Sequence, residues 1–455
     1  MDPKLKTRNI LNHPASLVIM SFGLADLAGA LLLSMPISHV SELGFLDALF
    51  TSTSAICVTG LTVVNTANSF TSLGQWIILL LIQVGGLGVM TFSVLFTMSV
   101  KGHLELSSQF LIQENFLHLK KASLKGLIAT ILLFTLGCEG ILAIIMTLSF
   151  LTDSVTTLDA LFYGIFHSVS SFCNAGFSVF PDGLEAYRDN FPVNLSVMTG
   201  VFLGSTGFAI IYEIWQRIFE KSKRPLSLHF KITMSTHILL MLLGTAGFLF
   251  WEYHDALRDL PLPTKILVSA FHSISVRTAG FNTIPISHLT ENTLYLMILL
   301  MFIGACPSST GGGIKTTTLA VLFLTARSRL KGFNQTIAFK RTIPESQVNR
   351  AVTLFMLAVI TVLGAHMLLM SAGTRIPFAK AQGEFFAYLF EAVSGLGTVG
   401  LSVGITPELG VTGKCVMIAI MFAGRVGLLS ILSILSIAGG KNKQYHYSSE
   451  RVMIG

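Results

Sequence analysis

Four short segments carry the residues best suited to chemistry in this chain. They read Phe50-TSTSAICVT-Gly60, Phe166-HSVSSFCNA-Gly176, Phe271-HSISVRTA-Gly280 and Phe390-EAVSGLGTV-Gly400. Each has a Phe, a Ser four residues later (Ser54, Ser170, Ser275, Ser394) and a closing Gly. The closing glycines are 116, 104 and 120 residues apart, which makes the pattern an internal repeat. The last three residues of each segment, Val58-Thr59-Gly60, Asn174-Ala175-Gly176, Thr278-Ala279-Gly280 and Thr398-Val399-Gly400, bring no acid or base. What they offer is backbone carbonyl groups, and glycine lets φ become positive so that successive carbonyls can turn to one side. The chemistry open to such residues is coordination of a cation by backbone oxygen.

The elements that position these segments follow from the rest of the chain. Of 455 residues, 52% are apolar and 12% charged, and mean hydropathy is +0.71. A soluble domain carries roughly 25% charged residues. The composition excludes a soluble enzyme, a disordered chain and a disulfide scaffold, and points to a polytopic membrane protein. Cys57, Cys138, Cys173, Cys306 and Cys415 have no CxxC spacing, so no zinc site or redox pair is indicated. The net charge of +7 comes from Lys and Arg gathered between apolar segments, not from a nucleic-acid surface.

Five basic clusters hold 21 of the 30 Lys and Arg residues: 4–8, 101–125, 217–231, 327–350 and 441–451. Residues 38–73 have no Lys or Arg. The positive-inside rule puts the clusters, and both termini, in the cytoplasm. Two crossings between successive clusters predict eight spans, at about 15–36, 76–99, 123–151, 193–216, 232–251, 293–326, 350–371 and 413–438; a span needs roughly 20 residues, so most are long enough and some are tilted or extended. The first, with Asp26 inside it and Pro36 at its end, reads as an anchor rather than a signal peptide.

The four repeat segments, too short to span, are expected as re-entrant helices. The helix after each carries a further matched glycine: Gly85 in QVGGLG, Gly204 in FLGSTG, Gly304 in FIGACP and Gly424 in FAGRVG. The predicted fold is all-α and polytopic, with four parallel units of spanning helix (M1), pore helix and spanning helix (M2) in pseudo-fourfold symmetry about a central pore. Its units are 1–100, 101–222, 223–340 with a broken M2 helix, and 341–455 with the C-terminal tail. Re-entrant backbone at membrane depth must be buried or line water. Four helix C-termini aimed at one axis favour a cation there, and carbonyl rings replacing a hydration shell make a potassium-type filter.

The sixth span contains Gly304, Ala305, Cys306, Pro307, Ser308, Ser309, Thr310, Gly311, Gly312, Gly313 and, past Ile314, Lys315. It is not a phosphate-binding loop, because Ile314 separates Gly313 from Lys315 and the flanks are apolar spans. Pro307 and the glycine run break the helix. The expectation is either a kink or a loop that obstructs the conduction path. Arg425, next to Gly424, should face the interior and find partners, as a structural pair, an electrostatic barrier or a contact for that loop. Asp26 and Glu139 are expected to pair with cationic groups. His167 and His272 are expected to pack and hydrogen bond, and Arg277 stands in a third segment one residue shorter than the others.

The VTG, NAG, TAG and TVG segments, QVGGLGVMTF and GACPSSTGGGIKT resemble the Trk/Ktr/HKT superfamily of potassium transporters, and its Ktr branch in particular, over nearly the whole chain. The resemblance implies potassium uptake with K+ bound at the twelve filter residues, and Gly60 matters because sodium-selective plant members carry Ser there. It further implies Na+ as an activator, a gate at residues 304–315 with Arg425, a homodimer, a cytoplasmic ring of nucleotide-binding RCK subunits, contact with membrane lipid and a bacterial inner-membrane location. The alternative is a coupled secondary transporter with a midplane site, against which the parallel repeat argues. A membrane enzyme lacks a clustered His, Cys or carboxylate site.

Overall fold

In a computed structural model the chain is described at residues 14–88, 124–151, 155–219, 225–373, 383–428 and at Ser430. The basic residues at 4–8, 101–121, 221–224 and 441–451, the predicted end of the second span and most of the end of the eighth lie outside these residues.

The four-unit plan is visible in the helix order. The first unit holds α1 (Pro14–Leu33), the re-entrant α2 (Phe45–Ile56) and α3 (Ser72–Gly86). The second holds α4 (Leu124–Phe150), α5 (Thr157–Phe172), α6 (Phe191–Thr206) and α7 (Phe208–Ile218). The third holds α8 (Leu228–Glu252), α9 (Leu262–Ser275), α10 (Glu291–Phe302) and α11 (Thr316–Leu330). A short hairpin, β1 (Thr336–Ala338) antiparallel to β2 (Arg341–Ile343), leads to the fourth: α12 (Glu345–Ala372), α13 (Glu384–Gly397) and α14 (Val411–Val426).

Among the described residues, α8, α12 and residues Thr130–Phe150 of α4 are each long and apolar enough to cross a membrane alone. Leu133, Leu136, Ile144, Leu242, Leu363 and Met367 on these helices are exposed, as lipid-facing side chains are. The short helices start where the sequence supplies caps. The Thr156 hydroxyl accepts the Asp159 N–H at 3.2 Å, and Asn190 accepts that of Val193 at 3.1 Å. Asp47, Asp159 and Glu384 lie in the first turns of α2, α5 and α13, where a negative charge complements the positive end of the helix dipole.

The sixth span is broken as expected, between α10 and α11. The fourth is broken too: 193–216 is not one helix but α6 and α7, bent by 96° at Gly207. The reason is a glycine three residues beyond each matched one. Gly88, Gly207 and Gly427 have φ of +96°, +94° and +90°, outside the helical region. In the third unit Pro307 stands at this place, followed by Ser308 at φ +58°.

Candidate functional site

Pore helices α2, α5, α9 and α13 each run into one of the four predicted segments, and the four segments share a backbone conformation. Val58, Asn174, Thr278 and Thr398 have φ of +56°, +62°, +78° and +50°. Gly60, Gly176, Gly280 and Gly400 follow at +93°, +69°, +73° and +94°. Two left-handed residues flanking one ordinary residue rotate successive peptide planes, so the carbonyls do not alternate as in a strand. Left-handed backbone at a non-glycine residue is uncommon and costly, and its fourfold recurrence marks a functional constraint.

The segments also close on one another. A Cβ built on Gly176 would lie 2.6 Å from the Ala279 carbonyl oxygen and 2.9 Å from the Gly280 Cα. In the same way Gly280 abuts Val399 and Gly400, Gly400 abuts Thr59 and Gly60, and Gly60 abuts Ala175 and Gly176. Each glycine thus contacts the middle residue and glycine of the next unit, and the cycle closes in chain order. Glycine is required at these positions by both φ and space.

The repeated Ser of each pore helix holds its segment. The Ser54 and Ser394 hydroxyls accept the N–H of Gly60 and Gly400 at 3.1 Å. Ser170, Ser275 and Ser394 donate to the carbonyls of Phe177, Phe281 and Leu401 at 2.8, 2.5 and 2.7 Å. Behind this, His167 bonds Tyr163 O and Ser178 Oγ at 2.8 and 2.9 Å and stacks on Phe180. His272 stacks on Phe248 and reaches Thr283 Oγ1 at 3.3 Å. Both are packing residues, as expected. The fourth unit has Glu391 at this position, a residue the sequence reading missed. Its carboxylate accepts the Ser402 hydroxyl and, at 2.7 Å, that of Thr406. The signal available was its place one residue after the repeated Phe, matching His167 and His272.

The matched M2 glycines seat the helices on the pore helices. A side chain at Gly85, Gly204 or Gly424 would strike the carbonyl oxygen of Ile56, Phe172 or Leu396 in the last turn of α2, α5 or α13. Gly304 differs, since it faces the Gly312 carbonyl of its own loop.

That loop, residues 303–315, crosses beneath the ring. Cys306 N and Thr310 N donate to Ser205 O and Gly204 O at 3.1 and 3.2 Å, and Phe208 N donates to Ser308 O at 2.8 Å. Gly312 N donates to Thr398 Oγ1 at 3.0 Å. Gly311 and Gly312 lie against the Thr278 and Thr398 side chains, the first residues of the third and fourth segments. Arg425 does contact the loop: one guanidinium nitrogen donates to Thr310 O and the other to Gly85 O. Lys315 Nζ turns back onto the loop, 2.7 Å from Gly311 O. The four predicted segments are therefore brought together in one closed cycle, with the predicted loop packed against two of them.

Asp26 and Glu139 depart from expectation. Among the described residues neither is paired with a cation. Asp26 accepts the Thr53 hydroxyl of α2 at 2.8 Å. Glu139 accepts Gln83 Nε2 at 3.2 Å and faces Cys173 Sγ at 3.8 Å. Both serve as acceptors bracing pore helices. Asn174 meets Thr278 at 3.1 Å, and the amide orientation that pairs all its atoms has the Thr278 hydroxyl donate to it.

On the far side of the ring from the loop, a cavity of about 340 Å³ is lined by Gly60, Gly176, Gly280 and Gly400 together with Asp182 and Glu185. Burial, and then the neighbouring Asp182, hold the Glu185 carboxyl above its usual range. The walls are joined between units: Asn65 Nδ2 to Pro181 O at 2.8 Å, and Asn282 Nδ2 to Glu185 Oε1 at 2.8 Å. Lys414 of α14 pairs with Asp47 of α2 at 2.5 Å and joins the last unit to the first.

The family profile described as "TrkH: Cation transport protein" matches residues 3–445. The chain belongs to the TrkH family. Among its relatives, the Ktr system potassium uptake protein B of Bacillus subtilis is 35% identical over 446 residues, 97% of each chain. The potassium/sodium uptake protein NtpJ of Enterococcus hirae is 36% identical over 448 residues, again 97% of each. In three dimensions this TrkH-family chain is similar to the potassium transporter TrkH of Vibrio parahaemolyticus, with a TM-score of 0.69 at 19% identity, covering 92% of this chain and 83% of that one. It is thus a helical membrane protein of a cation-transport family, and the sequence resemblance is borne out at the level of family and fold.

Proposed function

We propose that the chain takes up potassium across the bacterial plasma membrane through a filter of backbone carbonyls. The observation that carries the proposal is the closed cycle of four segments with paired left-handed residues. Such a ring presents several dipoles to a dehydrated monovalent cation, and negative helix ends stand behind it. Val58, Thr59 and Gly60 with their three counterparts bind K+. The acidic cavity above concentrates cations at the entrance, and the loop at 303–315, clamped by Arg425, is the gate. Two Ktr relatives and a potassium/sodium uptake relative support the choice of ion. They also make Na+ the ion to test, both as competitor and as activator.

Both termini are cytoplasmic in this reading, and two copies of the chain sit in the lipid bilayer on a cytoplasmic RCK-type subunit. The relatives' description as parts of a Ktr system supports a partner. The Arg327, Arg329 and Lys331 cluster beyond the gate-bearing span gives that partner a basic surface. The test is flux into liposomes holding the purified chain, with potassium, rubidium, sodium or ammonium as the test ion. Potassium and rubidium should enter and sodium should enter poorly. Equal entry of sodium and potassium would refute the filter assignment.

A further inference from the structure

The third segment is built differently from the other three. In those three the middle residue's N–H reaches the carbonyl of the repeated Ser: Thr59 to Ser54 at 2.8 Å, Ala175 to Ser170 at 2.7 Å and Val399 to Ser394 at 2.9 Å. With one residue fewer, the third turn has both Ala279 and Gly280 donating to Ser275 O, at 2.9 and 3.2 Å. The residue before the segment is Cys57, Cys173 or Gly397 in three units and Arg277 in the third.

Arg277 is only 3% exposed, and its side chain does not enter the ion path. It turns back to α8, where Nη1 donates to His237 O at 3.0 Å and Nη2 meets His237 Nδ1 at 2.8 Å. A guanidinium can only donate, so Nδ1 accepts and His237 is the neutral tautomer protonated on Nε2. The same Nδ1 lies 3.3 Å from Cys306 Sγ, and Cys306 belongs to the loop beneath the ring. The His237 ring is held edge-on against Phe202 of α6, with centroids 4.9 Å apart. A single imidazole nitrogen therefore touches both the loop and the residue bonded to Thr278.

We propose that Arg277 is a positioning residue that sets ion specificity in the third segment, and that His237 makes its hold depend on the loop. While the loop is seated, Cys306 and Arg277 share Nδ1 and Thr278 is held in register. When the loop withdraws, Cys306 leaves, the imidazole is free to re-pack, and the third segment loses part of its tether. Ion preference is thus coupled to loop position through one quadrant of the ring. The proposal rests on the filter reading above.

The experiment measures the ratio of potassium to sodium uptake, and total flux separately, in liposomes carrying the full chain. His237→Phe keeps the ring against Phe202 and removes Nδ1. Its ratio should fall about fivefold, the factor that corresponds to one net hydrogen bond. Arg277→Lys keeps the charge, loses the two-pronged donor, and should fall similarly. Cys306→Ala should lower the ratio by less, and the double variant with His237→Phe should match His237→Phe alone, because both act through one nitrogen. Additive effects would overturn the coupling. So would an unchanged ratio in Arg277→Lys or Cys306→Ala, the variants that decide if His237→Phe does not insert. A wild-type protein without ion preference would sink the filter reading itself, whereas normal wild-type preference with unaffected variants would sink the relay alone.

Discussion

Replacing Gly176 with Ala tests the ring at the glycine whose nearest contact is the least close of the four. The added Cβ would lie 2.6 Å from the Ala279 carbonyl oxygen. An ordinary contact needs about 3.5 Å, so that carbonyl or Gly176 must yield by about 0.9 Å. Gly176 also sits at φ +69°, where a non-glycine residue costs about 1–2 kcal/mol. Neither strain can be relieved outward, because the Ser170 hydroxyl fixes Phe177 O on the other side of the glycine. The displacement therefore falls on the ion-facing carbonyls. A loss of about 1.4 kcal/mol in the difference between two ions is a tenfold change in preference. Potassium preference over sodium should fall by about that factor in liposome uptake, in protein that still elutes as a single species in detergent. Because each glycine touches the next unit, Gly400→Ala should behave alike although it lies in a different repeat. A ratio within twofold of wild type in correctly inserted Gly176→Ala protein would refute the ring as the site of discrimination (about 0.4 kcal/mol).

Four other outcomes follow from the same contacts. Removing Ser308–Gly313 should raise potassium flux and reduce its dependence on a cytoplasmic partner, and wild-type flux with full partner dependence would reduce the loop to a kink. Arg425→Lys keeps the charge but cannot hold Thr310 O and Gly85 O together, so the loop should lose about 1.5–3 kcal/mol of anchoring and unitary or liposome flux should rise. Lys414→Met breaks the half-buried pair with Asp47, and should cost about 1 kcal/mol of thermal stability in detergent without altering ion preference. Glu185 is negative above its raised pKa, so uptake at low potassium should decline as external pH falls through that range, and Glu185→Gln should flatten the decline; His288, Asp182 and Arg188 also bear on this carboxyl, and a profile unchanged by the substitution would exclude Glu185 as its source.

The ring was legible in the sequence because it is written four times. One Phe-x-x-x-Ser and one Gly mean little, but matched offsets expose positions where φ and close approach tolerate no side chain. The break in the sixth span was legible for a related reason, since Pro307 and three glycines cannot continue a helix. The break at Gly207 was not, because one glycine within an apolar run ordinarily passes as a tolerated helix residue. It becomes visible only when Gly88, Gly207 and Gly427 are set three residues beyond their matched partners. The donors that meet Asp26 and Glu139 were also hidden. Intramembrane carboxylates suggest cations, yet their side-chain hydrogen bonds come from hydroxyl and amide groups on packed neighbours instead. The contact of Arg425 with Gly85, 340 residues apart, depends on how the quadrants meet, and that of Arg277 with His237, 40 apart, on how a segment folds back on its own unit's first helix; no local pattern encodes either.

Carrying four units on one chain has a consequence for what can lie on the axis. A loop that crosses beneath the ring, touching Gly204 on one side and Thr398 and Arg425 on the other, reaches from its own quadrant into two others. Four identical subunits would each bring such a loop to the same place, and three would have nowhere to go. Gene-level fusion lifts that restriction. One quadrant can hold the obstruction, another the arginine that clasps it, and the remaining two can keep unobstructed helices. The departure from exact symmetry is thus what allows a single polypeptide to own a central part that no rotationally symmetric assembly of identical chains could supply.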